Sequence, residues 1–127
     1  TEAWYWDLND ETRAFAGRFI QKMKRMPTSV HAGDYSSMLT YLKAVKAAGT
    51  DNPDKVMAEL QKIKINDLFT KGGYIRKDGT MMHDMYLFEV KKPEEVTKPW
   101  DYYRVVKKLP GEQAFNTLAE SKCSLIK

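Results

Sequence analysis

The chain has 127 residues, 43% of them hydrophobic and 30% charged, and its 21 basic and 17 acidic residues give a net charge of +4. This length fits one domain with its own core, and no apolar run reaches the roughly 18 residues that a membrane-spanning helix needs. The mild basic excess does not require a nucleic-acid partner.

The chain begins at Thr1 rather than at methionine, and no basic segment followed by an apolar one is present near its start. A secretory signal peptide would have that pattern. We therefore expect that residues have been removed upstream: an initiator methionine, a signal peptide, or most of a longer protein.

The opening stretch "TEAWYWDLND" places three aromatic side chains and a carboxylate within four positions: Trp4, Tyr5, Trp6 and Asp7. Flat apolar rings beside polar groups are typical of pockets for small organic solutes. The alternative is that these rings pack under the first helix as core. Either use demands burial, yet no strand precedes them in the chain.

The first predicted helix begins at Asn9 or Asp10, either of which can cap it, and ends before Pro27. Its apolar residues recur with the period of an α-helix. They are Phe15, Phe19, Met23 and Met26.

Two further helices are predicted before residue 65. Gly49 has the C-cap role on the first of them, and Asn52 followed by Pro53 is typical of the start of the next. Their apolar residues are Met38, Leu42 and Val45 on the first and Val56, Leu60 and Ile63 on the second.

From residue 73 the hydrophobic period changes from 3.6 to 2, which indicates strands. Gly72-Gly73 is interpreted as a turn, and Asp78-Gly79 predicts a second turn between strands at 74–76 and 83–90. A third strand at 101–106 and a helix over 111–121 complete the chain. The residues alone therefore predict three helices followed by an antiparallel meander.

No catalytic set stands out. His31 and Asp34 are three residues apart, which fits either a general base or ligand-binding pair or a loop histidine with Asp34 as a helix cap. His83 and Asp84 are adjacent on a predicted strand, so their side chains point to opposite faces and cannot form a dyad. Cys123 is the only cysteine, so it is either a free thiol or half of a bridge to another chain.

Neither zinc-ligand spacing nor a phosphate-binding glycine loop occurs in the sequence. We therefore predict no enzymatic activity, no metal and no cofactor.

Four stretches carry a family resemblance: "YWDLNDETRAFAGRF", "PTSVHAGDYSSMLTYLKAVKAAGTD", "GYIRKDGTMMHDMYLFEVKKPEE" with "PWDYYRVVKKLPGEQAF", and "SKCSLIK". Together they resemble the C-terminal portion of the periplasmic solute-binding proteins of ABC transporters, of the branched-chain amino acid (Leu/Ile/Val-binding) type. No single stretch is a fingerprint, but the four occur in order over nearly the whole chain.

The resemblance implies a type I periplasmic-binding-protein fold, an α/β protein whose two lobes are joined by three crossing segments and close on a solute. Family chains are much longer, so this chain resembles a C-terminal fragment. Residues 1–30 would then belong to the second lobe, 31–72 to the first, and 73–127 would return to the second.

The resemblance also implies where the solute binds. In the family, the loop after a second-lobe strand contacts the ligand, and Tyr5, Trp6 and Asp7 occupy that place, followed by Trp4. Tyr35 and His31, close to the hinge, are further candidates. Asp7 could hold the ammonium group of a branched-chain amino acid, whereas the aromatic rings suit aromatic or other carboxylates equally well.

The implied partners are the solute, the ABC permease in the membrane and the missing N-terminal part of the same protein, with no nucleic acid. The location would be periplasmic, after removal of a signal peptide that this chain does not contain. The isolated chain is expected to be dimeric, domain-swapped or held by the rest of the protein, because excision exposes apolar faces.

Two other functions stay open from the residues alone. One is a small basic α+β domain that binds nucleic acid through aromatic and basic side chains. The other is an enzyme that uses His31 and Asp34.

Overall fold

The computed structural model describes residues 1–121 and Ser124. As predicted, three helices precede the antiparallel strands and a short helix follows them, but the described residues form five strands where three were predicted. The helices are α1 (Asp10–Met23), α2 (Ser29–Ala48), α3 (Pro53–Leu60) and α4 (Gly111–Ala114). The strands are β1 (Ile65–Asn66), β2 (Lys71–Ile75), β3 (Met81–Met82), β4 (Met85–Val90) and β5 (Tyr103–Leu109).

Helix α1 begins where the sequence predicts. The Asn9 side chain accepts from the Thr12 N–H at 3.1 Å, and the Thr12 hydroxyl accepts from the Asn9 N–H at 3.0 Å. This reciprocal cap satisfies two backbone donors that a helix start would otherwise leave free. The helix ends at Met23, earlier than predicted, because Lys24 adopts a left-handed conformation with φ of 57°.

Helix α2 buries a different face from the one its large apolar residues indicate. Its buried residues are small, spaced four apart: Ala32, Ser36, Thr40 and Ala44. Met38 is 60% exposed and Leu42 is 55% exposed. Small side chains allow close packing, and the Ser36 hydroxyl donates to Asp67 at 2.6 Å across that contact.

The strands form two separate antiparallel sheets. One has the order β1-β2-β3, and the other pairs β4 with β5 from Met85↔Leu109 to Val90↔Tyr103. Glu2 forms an isolated antiparallel bridge with Tyr86, donating and accepting one backbone hydrogen bond each. The first residues of the chain therefore pair with the β4–β5 hairpin.

Four sequence-based assignments differ from the structure. Gly72 and Gly73 lie within β2 rather than in a turn, where Gly73 pairs with Ile65. A Cβ on Gly73 would lie only 2.6 Å from the Thr70 methyl group, so the strand position requires glycine. The strand predicted at 83–90 begins at residue 85, and the one predicted at 101–106 runs over 103–109. The helix predicted at 111–121 is reduced to α4 and a 3-10 turn at Leu118–Glu120, and Cys123 lies outside the described residues.

The core joins the opening stretch to the first two helices. Trp4 is 3% exposed, and its ring meets Phe15 edge-on at a centroid distance of 6.0 Å. Its indole Nε1–H donates to the Leu68 carbonyl at 2.9 Å, so the buried ring has no unpaired polar atom. The half-buried residues packed around this cluster are Trp6, Leu8, Phe19, Leu68 and Phe69.

Two glycines should respond oppositely to alanine. Gly17 lies exposed inside α1 with nothing within 4 Å of a Cβ, so Gly17→Ala should raise the free energy of unfolding by about 0.5–1 kcal/mol. A Cβ on Gly111 would lie 2.8 Å from the His83 carbonyl oxygen, so Gly111→Ala should lower it by roughly 1–3 kcal/mol. Denaturant titration of both variants checks the pair, and equal effects would contradict the packing at Gly111.

A nearly buried ion pair links the turn before β3 to the C-terminal segment. The Arg76 guanidinium donates twice to Asp78, at 2.9 and 2.6 Å, and once to the Asn116 carbonyl at 2.6 Å. The bonds from Arg76 hold the pKa of Asp78 well below its usual range; burial would raise it, and the Thr80 N–H lowers it further.

Lowering the pH should therefore reduce the free energy of unfolding, because Asp78 becomes protonated. A carboxyl pKa that is lower in the folded state than its unfolded value of about 4 stabilises the fold above that value, and this stabilisation is lost as the pH falls through the folded pKa. Asp78→Asn should flatten the loss of stability measured from about pH 4 downward. Asp51→Asn, at an exposed position, is the matched control, and an equal slope change in both variants would refute the assignment.

No helix within residues 1–121 is long and apolar enough to span a membrane.

Candidate functional site

An open cavity of about 610 Å³ lies between the opening stretch, the loop after α1 and the β4–β5 hairpin. Half of its lining residues are aromatic: Trp4, Tyr5, Trp6, Phe88, Trp100, Tyr102 and Tyr103. The rest of the wall is Thr1, Glu2, Arg25, Met26, Pro27, Thr28 and Ser29.

Tyr5 stands at the centre of this wall. Its hydroxyl donates to the Trp100 carbonyl at 2.6 Å and accepts from the Tyr102 N–H at 3.1 Å. Its ring meets Phe88 and Tyr103 with centroid distances of 5.5 and 5.4 Å, both near edge-on. Since the hydroxyl is held by backbone groups, Tyr5 offers a bound molecule mainly its ring.

Trp6 is held in the same way. Its indole Nε1–H donates to the Trp100 carbonyl at 2.9 Å, and the Lys98 ammonium lies 4.8 Å from its ring centroid. A cation at this distance over an indole ring is attracted to the ring face. The carbonyl of Trp100 thus receives hydrogen bonds from two neighbouring aromatic residues.

Asp7 does not line the cavity. Its carboxylate pairs with Arg13 at 2.9 Å and with Lys98 at 3.1 Å. Partial burial raises the pKa of Asp7, but the hydrogen bonds and charges of Arg13 and Lys98 outweigh it and hold that pKa below its ordinary value. The carboxylate is therefore ionised at neutral pH and already neutralised by two cations.

His31 and Tyr35 lie on α2 and are not among the residues that line the cavity. The His31 Nδ1 accepts from the Thr28 N–H at 3.1 Å and lies 2.8 Å from the Thr28 hydroxyl. Because Nδ1 is an acceptor, the neutral ring carries its proton on Nε2. The Tyr35 ring packs against Phe15 at a centroid distance of 5.4 Å and is partly exposed.

The structure does not form the pairs that would support catalysis. Asp34 lies inside α2, so it is not the helix cap, and no contact joins it to the His31 side chain among the described residues. The His83 ring sits between Phe69 and Phe115, each at a centroid distance of 5.0 Å, as a packing residue. Within the described part of the chain, no group of three or more His, Cys, Asp or Glu side chains could hold a metal.

Among the described residues, eight lysine and arginine side chains are paired with carboxylates. Arg104, for example, contacts Glu89 at 2.8 Å and Glu95 at 2.7 Å, and Lys91 contacts Asp101 at 2.6 Å. Binding to nucleic acid relies on cations that are free to meet phosphates. These paired cations are neutralised locally and are not free to meet phosphates.

Sequence reasoning missed the parts of the wall contributed by the β4–β5 hairpin with its loop and by the segment after α1. The stretch "PWDYY" has the same mixture of rings and a carboxylate as "WYWD", and this similarity was the available signal. What the pattern lacks is any indication that the two stretches meet. The lining residues that were not predicted are Thr1, Glu2, Arg25, Met26, Pro27, Thr28, Ser29, Phe88, Trp100, Tyr102 and Tyr103.

Comparison with known proteins gives consistent matches. The profile of the periplasmic binding protein family matches residues 1–95. A periplasmic binding protein from Burkholderia mallei has a similar structure, with 58% sequence identity, a TM-score of 0.94, and coverage of 98% of this chain and 33% of the other. A branched chain amino acid ABC transporter periplasmic ligand-binding protein from Burkholderia xenovorans LB400 is 50% identical, with a TM-score of 0.92 and the same coverage.

The chain thus spans about a third of the length of the solved structures it matches. No curated protein matches it significantly.

Proposed function

Because the chain belongs to the periplasmic binding protein family, we propose that it is part of an extracytoplasmic receptor for an ABC uptake transporter. The receptor binds a small amino acid or a related carboxylate in the cleft between two lobes and delivers it to the permease. The observation that carries this proposal is the 50% identity, over 98% of the chain, to a branched chain amino acid ABC transporter periplasmic ligand-binding protein. A receptor of this type binds and releases its solute without chemical change.

We infer that the aromatic cavity is this chain's share of the solute site. Tyr5 and Trp6 have the strongest support, since their rings line the cavity and their polar atoms are held by the Trp100 carbonyl. Trp4 supports the wall from the core. The proposal has less support for Asp7, whose carboxylate is already paired.

His31 and Tyr35 are retained as proposed contacts near the hinge, on the resemblance alone. Both side chains pack on α1 aromatics, His31 on Phe19 and Tyr35 on Phe15. To contact either side chain, a bound solute would have to extend beyond the residues that line the cavity.

A ligand panel on the full-length protein tests the function. Branched-chain amino acids and aromatic acids are added separately and the melting temperature is recorded. A ligand that binds only the folded state stabilises it by mass action, by about 2.7 kcal/mol at a concentration of 100 times Kd. At least one class should raise the melting temperature, and a flat response across the panel would refute the proposed receptor.

Helix α2 has an exposed apolar face that could contact another part of the polypeptide or a second copy of this chain. Met38, Tyr41 and Leu42 are all more than two-fifths exposed on this helix. We propose that the rest of the polypeptide covers them in the receptor and that the isolated chain associates through them. Sedimentation of the isolated chain should show dimers or larger species, and a monodisperse monomer would contradict this.

The division of the chain at residues 30 and 72 between two lobes is likewise a proposal. It is supported by the family membership and is tested by a crystal structure of the full-length protein. If residues 1–30 and 31–72 lie in the same lobe there, the division is wrong.

A further inference from the structure

We propose that Trp100 is a specificity-determining residue of the cavity and that it acts through two separable parts. Its backbone positions Tyr5 and Trp6, and its ring forms part of the wall that a solute meets. The inference rests on the proposed function, because it assigns a selectivity to the same site.

The backbone part follows from the conformation of Trp100. Its φ is 64°, in the left-handed region that large side chains rarely adopt. Such a conformation persists where the surroundings over-determine it, and it is often found at functional sites. Here it accompanies a carbonyl that accepts from Tyr5 at 2.6 Å and from Trp6 at 2.9 Å.

The loop that carries Trp100 is anchored on both sides. Asp101 is 4% exposed, and its carboxylate accepts from Lys91 at 2.6 Å and from the Thr97 hydroxyl at 3.2 Å. Lys98 reaches across to Asp7 at 3.1 Å. Residues 97–101 are therefore fixed both to the hairpin and to the opening stretch, which explains how the strained backbone is held.

The role of the Trp100 ring follows from the hydrogen bonds that the other aromatic residues of the wall already make. The hydroxyl of Tyr5 and the indole nitrogens of Trp4 and Trp6 are all engaged with backbone carbonyls. The Trp100 ring is 40% exposed and lines the same cavity. This aromatic part of the wall therefore offers ring faces and edges rather than the donors of Trp4, Tyr5 and Trp6, and it favours a solute with a flat aromatic group over one with a branched aliphatic group.

Three variants of the full-length protein separate the two parts. Trp100→Gly removes the ring and keeps a residue that adopts the left-handed conformation readily. Trp100→Val removes the ring and also disfavours that conformation, because its side chain is β-branched. Trp100→Phe keeps an aromatic ring, and Tyr74→Ala, on β2 and outside the lining of this cavity, is the control for a remote aromatic loss.

Isothermal titration with L-phenylalanine and L-leucine measures the ring part, since these solutes differ only in the side chain. Trp100→Gly should lose about 2- to 10-fold in affinity for phenylalanine, with a smaller change for leucine, and Trp100→Phe should recover most of the loss. If the wild type binds and Trp100→Gly has unchanged selectivity, the assignment of specificity to the ring is overturned.

Near-ultraviolet circular dichroism without solute measures the backbone part. The Trp100 signal is lost equally in the Gly and Val variants, so a further loss in Trp100→Val reports disturbed packing of Tyr5 and Trp6. Indistinguishable spectra would overturn the positioning role. If the wild type binds neither amino acid, the proposed function fails for these solutes and the specificity role with it, whereas the spectra still decide the positioning role.

Discussion

Replacing Trp4 by alanine should lower the free energy of unfolding by about 3–5 kcal/mol, the range typical of removing a large buried aromatic side chain. The ring is 3% exposed and packs edge-on against Phe15 at 6.0 Å. Its loss leaves a cavity between the opening stretch and α1. Denaturant titration of the full-length protein measures the effect, with an unchanged m-value as evidence that the unfolded state is unaffected.

Trp4→Phe separates the contribution of the aromatic ring to stability from that of the indole hydrogen bond. Phenylalanine keeps an aromatic face toward Phe15 but leaves the Leu68 carbonyl without the donor now at 2.9 Å. A buried acceptor without a partner costs about 1–3 kcal/mol, so this variant should lie between wild type and Trp4→Ala. A loss below about 1 kcal/mol in Trp4→Ala would contradict the core assignment. If Trp4→Ala instead loses solute binding while its free energy of unfolding stays at the wild-type value, the ring of Trp4 contacts the solute directly.

The helices could be predicted because their signals are local. The cap at Asn9 and the Asn52-Pro53 start of α3 both depend on atoms within a few residues of one another. The buried face of α2 could not be predicted in the same way. Met38 and Leu42 dominate its hydrophobic pattern, yet the described chain packs against Ala32 and Ser36, where small side chains admit Phe69 and Asp67.

Only the part of the candidate site that lies in the opening stretch could be predicted from the sequence. The rings of "WYWD" indicated either a pocket or a core, and the structure uses them for both: Trp4 is buried in the core and also borders the cavity, while Tyr5 and Trp6 are half-buried on the cavity wall. The part of the wall that the hairpin contributes depends on a contact between Tyr5 and Trp100, which are 95 residues apart. No periodicity reports such a contact, and a left-handed tryptophan runs against the preference of its own side chain.

Tyr5→Ala should weaken solute binding on the order of ten-fold, because it removes a ring that the cavity offers to a bound molecule. Stability should fall as well, since the same ring packs against Phe88 and Tyr103. Affinity is therefore measured by isothermal titration of the full-length protein, well below the melting temperature of the variant. Under that condition the folded fraction is the same as in the wild type, and a change in Kd reports on the site alone.

Tyr5→Phe is the matched control, because it removes only the hydroxyl. The Trp100 carbonyl keeps its bond from Trp6, while the Tyr102 N–H loses the acceptor now at 3.1 Å, at a stability cost of about 1 kcal/mol. If the ring binds the solute, Tyr5→Phe should stay within about three-fold of wild-type affinity while Tyr5→Ala does not. Equal losses in both variants would mean that the hydroxyl acts by holding the Trp100 loop in place. Wild-type affinity in both would remove Tyr5 from the site and leave it a structural link between the opening stretch and the hairpin.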